Sequence, residues 1–171
     1  NLYFSDELAR TELAFGSMMS ISTVVNSETD KVLLMMGGMM GNNAVLTTSD
    51  EMAEGEDVED VEMTWTYSKE TKKILDYTCK KAIGTDTDGN EIAYWYTEKI
   101  KPANTDNNSA LAKLPGLALE YEVDREGMVM TFTASKVKTS LDSATKASKF
   151  SFDIPEGYTE MTYDEFTSMG M

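Results

Sequence analysis

The chain has 171 residues, of which 41% are hydrophobic and 26% are charged, and these values are typical of one globular domain. Thirty acidic residues against fifteen basic ones give a formal charge of -15, which repels the phosphates of nucleic acids. We therefore expect no nucleic-acid partner. No apolar run approaches the roughly 20 residues that span a bilayer, so we predict no transmembrane segment.

Apolar and polar residues alternate along much of the chain, which is typical of strands whose two faces meet different surroundings. The pattern predicts five strands in the first part of the chain: Ala9–Phe15, Met18–Val25, Val32–Met36, Ala44–Thr48 and Val61–Tyr67. It then predicts two antiparallel hairpins, which pair Leu75–Ile83 with Glu91–Thr97 and Leu117–Asp124 with Met128–Ser135.

The only helix that the pattern favours lies at the C-terminal end. Thr162 and Glu165 have the spacing of a capping box, in which each side chain bonds the other residue's backbone N–H. We predict a mainly β (α+β) fold, with a single curved antiparallel sheet or half-barrel and a short C-terminal helix. Residues 1–171 are expected to form one domain.

Two segments have the composition of loops. Residues 50–62 contain eight carboxylates and no Lys or Arg, and residues 101–109 are rich in Asn. The first segment is predicted to be a solvated loop, and the sequence leaves open whether it gathers a weakly bound Ca²⁺.

The chain contains no histidine, which excludes Ser-His-Asp and Cys-His catalytic sites. Its single cysteine, Cys79, cannot form an internal disulfide and leaves zinc few ligands. We expect Cys79 to be buried, and we predict no catalytic residue, no cofactor and no metal site. A pair of carboxylates in a cleft is the remaining route to an enzyme, and its burial cannot be judged from spacing.

Thirteen methionines are unusual for a chain of this length, and methionine suits surfaces that accept varied apolar partners. One interpretation is an apolar ligand site, and the other is ordinary core filling. The residues predicted to line such a site are Met36, Tyr94, Trp95, Tyr96, Met128, Met130 and Phe132.

Five segments in the second part of the chain resemble the DUF4412 family of exported proteins, which is similar to the GLPGLI proteins. They are ETKKILDYTCKK at 70–81, YWYTEKI at 94–100, LPGLALEY at 114–121, FTASKV at 132–137 and FDIPEGYTEMT at 152–162. The resemblance covers residues 70–171 and carries no established site residues. It implies export to the periplasm or cell surface, with a lipid anchor as an open alternative.

The end of the chain, a strand followed by an Ile-Pro-x-Gly-Tyr turn and a short helix, also resembles the LolA/LolB lipoprotein carriers, whose curved sheet has an apolar concave face. The resulting hypothesis is an exported envelope protein, not an enzyme, that binds a lipid or another apolar ligand. The alternative is a structural or interaction module of the envelope that holds a protein or glycan partner.

Overall fold

The structure is a computed structural model, and it describes residues 1–16, 18–39, 41–55, 63–101, 113–125 and 128–168. Within these residues the chain forms eleven strands and three short helices. In chain order they are β1 Leu2–Phe4, β2 Leu8–Phe15, β3 Met19–Asn26, β4 Lys31–Gly38, β5 Asn43–Thr48, α1 Ser49–Gly55, β6 Thr64–Ile74, β7 Tyr77–Thr85, β8 Glu91–Thr97, β9 Leu117–Arg125, β10 Met128–Thr133, α2 Ser143–Lys149, β11 Thr159–Glu160 and α3 Tyr163–Ser168. No helix in the described part of the chain is long and apolar enough to cross a bilayer.

The strands form two sheets in two compact units. The first sheet has the order β1-β2-β3-β4-β5-β11, and all its pairs are antiparallel except the short parallel pair of β11 with β5. The second sheet has the order β10-β9-β8-β7-β6 and is antiparallel throughout. The first unit contains the described residues of 1–55 and 141–168, and the second contains those of 63–140.

A mainly β fold with a short C-terminal helix is confirmed, and every predicted strand is present with shifted ends. The prediction of a single curved sheet is wrong, because β1–β5 and β6–β10 pair only within their own sheets. Alternation shows which face a side chain takes but not which strand lies beside it. Each sheet has two edge strands among the described residues, and a LolA-like half-barrel is not confirmed. That residues 1–171 form one domain stays a prediction.

β4 is the centre of the first unit because both of its faces are covered. Its residues 32–37 are all buried, as expected for a strand between two layers. On one face Leu33 and Met35 pack with Val24, Ala44, Phe152, Ile154 and Tyr158. On the other face Val32 and Leu34 pack with Val45, Tyr163 and Phe166.

The start of the acidic segment is helical, so its prediction as a loop is wrong for residues 50–55. The Glu51 backbone N–H donates to Thr48 Oγ1 at 3.1 Å, which caps the helix, and the Ser49 N–H donates to Asp30 Oδ1 at 3.1 Å. Carboxylates in the first turn also favour a helix through its dipole. Residues 56–62 lie outside the described residues, as do most residues of the second predicted loop.

The predicted capping box at the C-terminal helix is confirmed. The Thr162 N–H donates to Glu165 Oε2 at 2.9 Å, and the Glu165 N–H donates to Thr162 Oγ1 at 3.3 Å. The hydrophobic pattern does not predict α2, although Asp142 caps it by accepting a hydrogen bond from the Thr145 N–H at 2.9 Å.

Glu12 links the end of α2 to the first sheet. Its carboxylate accepts hydrogen bonds from Arg10 Nε at 2.7 Å, Lys149 Nζ at 2.6 Å and Asn1 Nδ2 at 3.2 Å. The Lys149 ammonium also lies 4.8 Å from the centre of the Tyr3 ring. Burial alone would raise the pKa of Glu12, but the hydrogen bonds from Lys149, Asn1 and Arg10 together lower this pKa below its ordinary value.

We predict that Glu12→Gln lowers the free energy of unfolding by about 1.5–3 kcal/mol at pH 7, since hydrogen bonds to charged groups contribute about this much. A carboxylate whose pKa is lowered in the folded state stabilises the protein at pH values above the ordinary pKa of that carboxylate. This contribution is lost as the pH falls through the folded-state pKa. Urea denaturation should therefore show that the wild type and the variant differ less in free energy of unfolding near pH 3 than at pH 7.

Glu28→Gln is the matched control, because Glu28 lies exposed in the turn between β3 and β4. It should leave stability unchanged at both pH values. An equal loss for Glu12→Gln at both pH values would contradict the role of the Glu12 charge.

Candidate functional site

The two faces of the second sheet differ in chemistry because neighbouring residues on a strand point in opposite directions. Tyr94 and Tyr96 of β8 point to one face, and Trp95 between them points to the other. We call the first the aromatic face; its rings are Trp65, Tyr67, Tyr94, Tyr96, Tyr121 and Phe132. We call the second the Trp95 face.

Four rings form a continuous row across the aromatic face. The Trp65 and Tyr94 ring centres are 5.2 Å apart, those of Tyr94 and Tyr121 are 5.8 Å apart, and those of Tyr121 and Phe132 are 5.0 Å apart. The last two pairs are stacked, with planes 27° and 18° apart. Such contacts stabilise a sheet beyond the area that they bury.

Small residues on β7 allow this row to form. Trp65 lies on β6 and Tyr94 on β8, so their rings meet above the strand between them. At this point β7 carries Ala82 and Gly84, and a Cβ built on Gly84 would lie 3.3 Å from the Trp65 ring and 3.0 Å from Met63 Sδ. Gly84 therefore makes room for the Trp65 ring.

The aromatic face is packed rather than hollow at its centre. Tyr94 and Tyr96 are only 6% and 3% exposed, and they form a buried cluster with Ala82 and Leu114. Only the end of the row, Phe132 on the edge strand β10, is well exposed, at 44%. The centre of this face is thus part of the core of the second unit.

The Trp95 face contains a shallow depression of about 320 Å³. Its residues come from four neighbouring strands: Lys81 and Ile83 from β7, Glu91 and Ala93 from β8, Glu122 from β9 and Val129 from β10. The apolar side chains are small or medium-sized, and one ammonium and two carboxylates accompany them. This volume is at the lower end of the ~300–1,000 Å³ typical of small-ligand sites.

Beside the depression, two lysines flank the Trp95 ring. Lys72 Nζ lies 4.3 Å and Lys81 Nζ 5.9 Å from the ring centre. Lys72 forms an ion pair with Glu120, which also accepts a hydrogen bond from Thr133 Oγ1 at 3.1 Å. Lys81 Nζ lies 3.6 Å from a Glu70 oxygen. These contacts hold the charged side chains of this face in place.

The acidic charge is unevenly divided between the two units. The described residues of the first unit include fourteen Asp and Glu against four Lys and Arg. Those of the second unit include nine acidic residues against eleven basic ones. The formal charge of -15 therefore does not describe the surroundings of the depression, which are close to neutral.

The structure brings four of the seven predicted ligand-lining residues to one face: Tyr94, Tyr96, Met130 and Phe132. Trp95 lies on the opposite face. Met36 belongs to the first sheet, where it is 4% exposed. The side chain of Met128 lies outside the described residues. The seven residues therefore do not line one surface, and a ligand role for any of them stays a prediction.

Sequence reasoning missed the residues that line the depression. The alternation does indicate their face of the sheet. Glu122 follows Glu120 on the polar side of β9, and Lys81 points to the same side of β7. The alternation places them on a polar face, but it does not reveal that this face is concave.

Cys79 is fully buried beside Ile74 and Leu119, as predicted. Burial raises the pKa of the Cys79 thiol, so the reactive thiolate is disfavoured. Among the described residues, no three carboxylate or thiol side chains gather closely enough to hold a metal ion. Most of the segment predicted as a weak Ca²⁺ site lies outside these residues.

Comparison with known proteins gives the family. A family model described as the N-terminal domain of an N-glycanase peptide matches residues 18–164, which is most of the chain. The chain belongs to this family. No curated protein sequence matches it.

Two solved structures of PNGF-II are similar to this N-glycanase N-terminal domain. The structure in the C2 space group has 19% identity and a TM-score of 0.45, and the match covers 95% of this chain and 28% of that one. The structure in the P21 space group has 18% identity and a TM-score of 0.41, with coverage of 96% and 29%. The domain thus spans less than a third of the length of these proteins.

The resemblance to DUF4412 is wrong, because the family match identifies an N-glycanase N-terminal domain instead. Two of the motifs that carried it, LPGLALEY and FDIPEGYTEMT, contain glycines that local conformation explains. A Cβ on Gly116 would lie 2.0 Å from the Thr97 carbonyl oxygen, and Gly157 has a φ of +87°, so both positions require glycine in this fold. Turn chemistry of this kind recurs in unrelated β proteins. The expectation of a lipid-binding, LolA-like lipoprotein is wrong with it.

We predict that Gly84→Val displaces the Trp65 ring and lowers the free energy of unfolding by about 1–3 kcal/mol, as overpacking usually does. In a Trp95→Phe background, where Trp65 is the single tryptophan, the fluorescence emission should shift to the red as the ring becomes more exposed.

Ala93→Ser, on the opposite face, should leave the emission of Trp65 unchanged in the same background. An unshifted spectrum for Gly84→Val would mean that Gly84 does not make room for the Trp65 ring.

Proposed function

We propose that this domain is a non-catalytic module that binds glycans in the depression on the Trp95 face. The observation that carries the proposal is the composition of the depression, in which Ile83, Ala93 and Val129 lie beside the charged groups of Lys81, Glu91 and Glu122.

A sugar ring has the complementary chemistry. Its C–H groups form apolar patches above and below the ring, and its hydroxyls point outward around the edge. The ring packs against the aliphatic side chains while its hydroxyls donate to the two carboxylates and accept from the lysine. A depression of about 320 Å³ suits one or two sugar units.

The family supports the same class of ligand, since its printed description is the N-terminal domain of an N-glycanase. The chain has no histidine, which excludes Ser-His-Asp and Cys-His sites in this depression. Export to the periplasm or cell surface fits a glycan-binding role, because most glycoconjugates lie outside the cytoplasm.

A protein partner is a second candidate, and the exposed apolar residues of the edge strand β10 favour it. Val129 is 62% exposed and Phe132 44%, and an edge strand offers free backbone groups for pairing. Replacing Phe132 with Ser would weaken a protein contact on β10 but leave glycan binding intact.

We predict saturable binding of the free N-linked core pentasaccharide, measured by isothermal titration calorimetry. Glu122→Gln should weaken this binding about tenfold or more, since a hydrogen bond to a charged group contributes about 1.5–3 kcal/mol. Ala93→Leu should weaken it further because the added side chain occupies the depression.

Met130→Gln is the matched control. Met130 follows Val129 on β10, is half-exposed and points to the aromatic face. It should bind like the wild type. Absence of saturable binding to the wild type would overturn the proposal, and so would binding that Glu122→Gln and Ala93→Leu leave unchanged.

A further inference from the structure

A second, smaller depression lies in the first unit, where β3 begins and β4 ends near the turn before β11. Its volume is about 150 Å³, enough for about five water molecules at about 30 Å³ each. Gly37 lies beside polar side chains from three parts of the chain: Ser20, Asn42 and Tyr158.

The polar atoms of these side chains converge on one point. A Cβ built on Gly37 would lie 3.0 Å from Ser20 Oγ, 3.0 Å from Asn42 Oδ1 and 3.3 Å from the Tyr158 hydroxyl. The φ of Gly37 is not in the left-handed region, so backbone conformation does not demand glycine here. Glycine is instead favoured because the three oxygens lie close to the Gly37 α-carbon, where any side chain would crowd them.

Each of these oxygens can form at least one further hydrogen bond. Asn42 Nδ2 donates to the Gly157 carbonyl at 3.5 Å, which leaves Asn42 Oδ1 as an acceptor. Ser20 Oγ donates to the Gly37 carbonyl at a long 3.4 Å. Within the described residues, the Tyr158 hydroxyl has no hydrogen-bond partner. The pocket thus offers two acceptors, Asn42 Oδ1 and Ser20 Oγ, and the Tyr158 hydroxyl, which can donate and accept.

The fold holds these groups in place before any ligand arrives. The Tyr158 ring packs against the buried cluster of Val24, Leu33, Met35 and Ala44, so its hydroxyl has a fixed position. The Asn42 carbonyl accepts from the Thr159 N–H at 2.9 Å, where β11 joins β5. Rigid placement lowers the entropy cost of binding.

The chemistry of the pocket selects an uncharged ligand. Among the described residues no charged side chain lines it, and the fourteen acidic residues that the structure describes in the first unit disfavour anions. Sugar hydroxyls each donate and accept, as the pocket requires. We propose that this pocket binds a neutral monosaccharide unit through its hydroxyl groups. The site is separate from the depression on the Trp95 face and does not depend on binding there.

The test is an NMR titration of the ¹⁵N-labelled full chain with methyl glycosides of glucose, mannose and N-acetylglucosamine. We expect saturable shifts of the Gly37 and Gly38 amides with at least one of these sugars. Tyr158→Phe keeps the ring but removes the hydroxyl, and Gly37→Ala adds a methyl group at the convergence point. Each should weaken binding about tenfold, as loss of one or more hydrogen bonds predicts.

Ser22→Ala is the matched control. Ser22 lies two residues from Ser20 on the same face of β3, and its buried hydroxyl has no hydrogen-bond partner among the described residues. This variant should bind like the wild type. The proposal would be overturned if none of the three sugars gave saturable shifts. It would also be overturned if methylammonium chloride, instead of the sugars, saturated the pocket.

Glu122→Gln separates this pocket from the depression on the Trp95 face. It should leave the shifts of Gly37 unchanged. If Glu122→Gln abolished monosaccharide binding while Gly37→Ala and Tyr158→Phe did not, the sugar would occupy the second sheet and the pocket at Gly37 would be excluded.

Discussion

The alternation of side chains along β7 and β8 is the constraint on which the second unit depends. Because Tyr94 and Tyr96 share one face, Trp95 must take the other, and the same rule separates Ala82 from Lys81. Ala82 and Gly84 are small, so rings from β6 and β8 meet above β7 and close the aromatic face. The rings thereby fill this side of the sheet, while Ile74, Cys79 and Leu119 form a second buried cluster beside Trp95.

The Trp95 face follows from this division. Once the rings have filled the opposite side, this part of the sheet is left with lysines, carboxylates and short aliphatic side chains, and a shallow depression forms among them. Beside it, Lys72 is held by its ion pair with Glu120 and by its position over the Trp95 ring, and Lys81 of the depression lies 3.6 Å from a Glu70 oxygen. Ordered polar groups of this kind are more suitable for a hydroxylated ligand than for a lipid tail.

Most local structure was predictable from sequence, because it depends on neighbours in the chain. The strands follow from alternation, and α3 follows from the capping box of Thr162 and Glu165. Strand partners were not predictable, since alternation is satisfied by one sheet or by two. Met36 illustrates the difference: its strand was predicted correctly, but it lies in the first sheet, apart from the tyrosines with which it was grouped.

The candidate site was less predictable than the fold. Aromatic and methionine residues were predicted to contact a ligand, but Tyr94 and Tyr96 are buried in the core. The alternation predicts only that Glu122 lies on an exposed polar face, because a concave surface arises from four strands together and leaves no mark on any one of them. In two of the motifs of the second half, the fold itself requires the glycines Gly116 and Gly157.

The most direct test of the account is methyl NMR of the protein titrated with the N-linked core pentasaccharide, because methyl groups report separately on the two faces. The account predicts saturable shifts at Ile83, Ala93 and Val129, with Ala82, Ile92 and Met130 unchanged. Shifts confined to Ala82, Ile92 and Met130 would assign binding to the aromatic face and contradict the account.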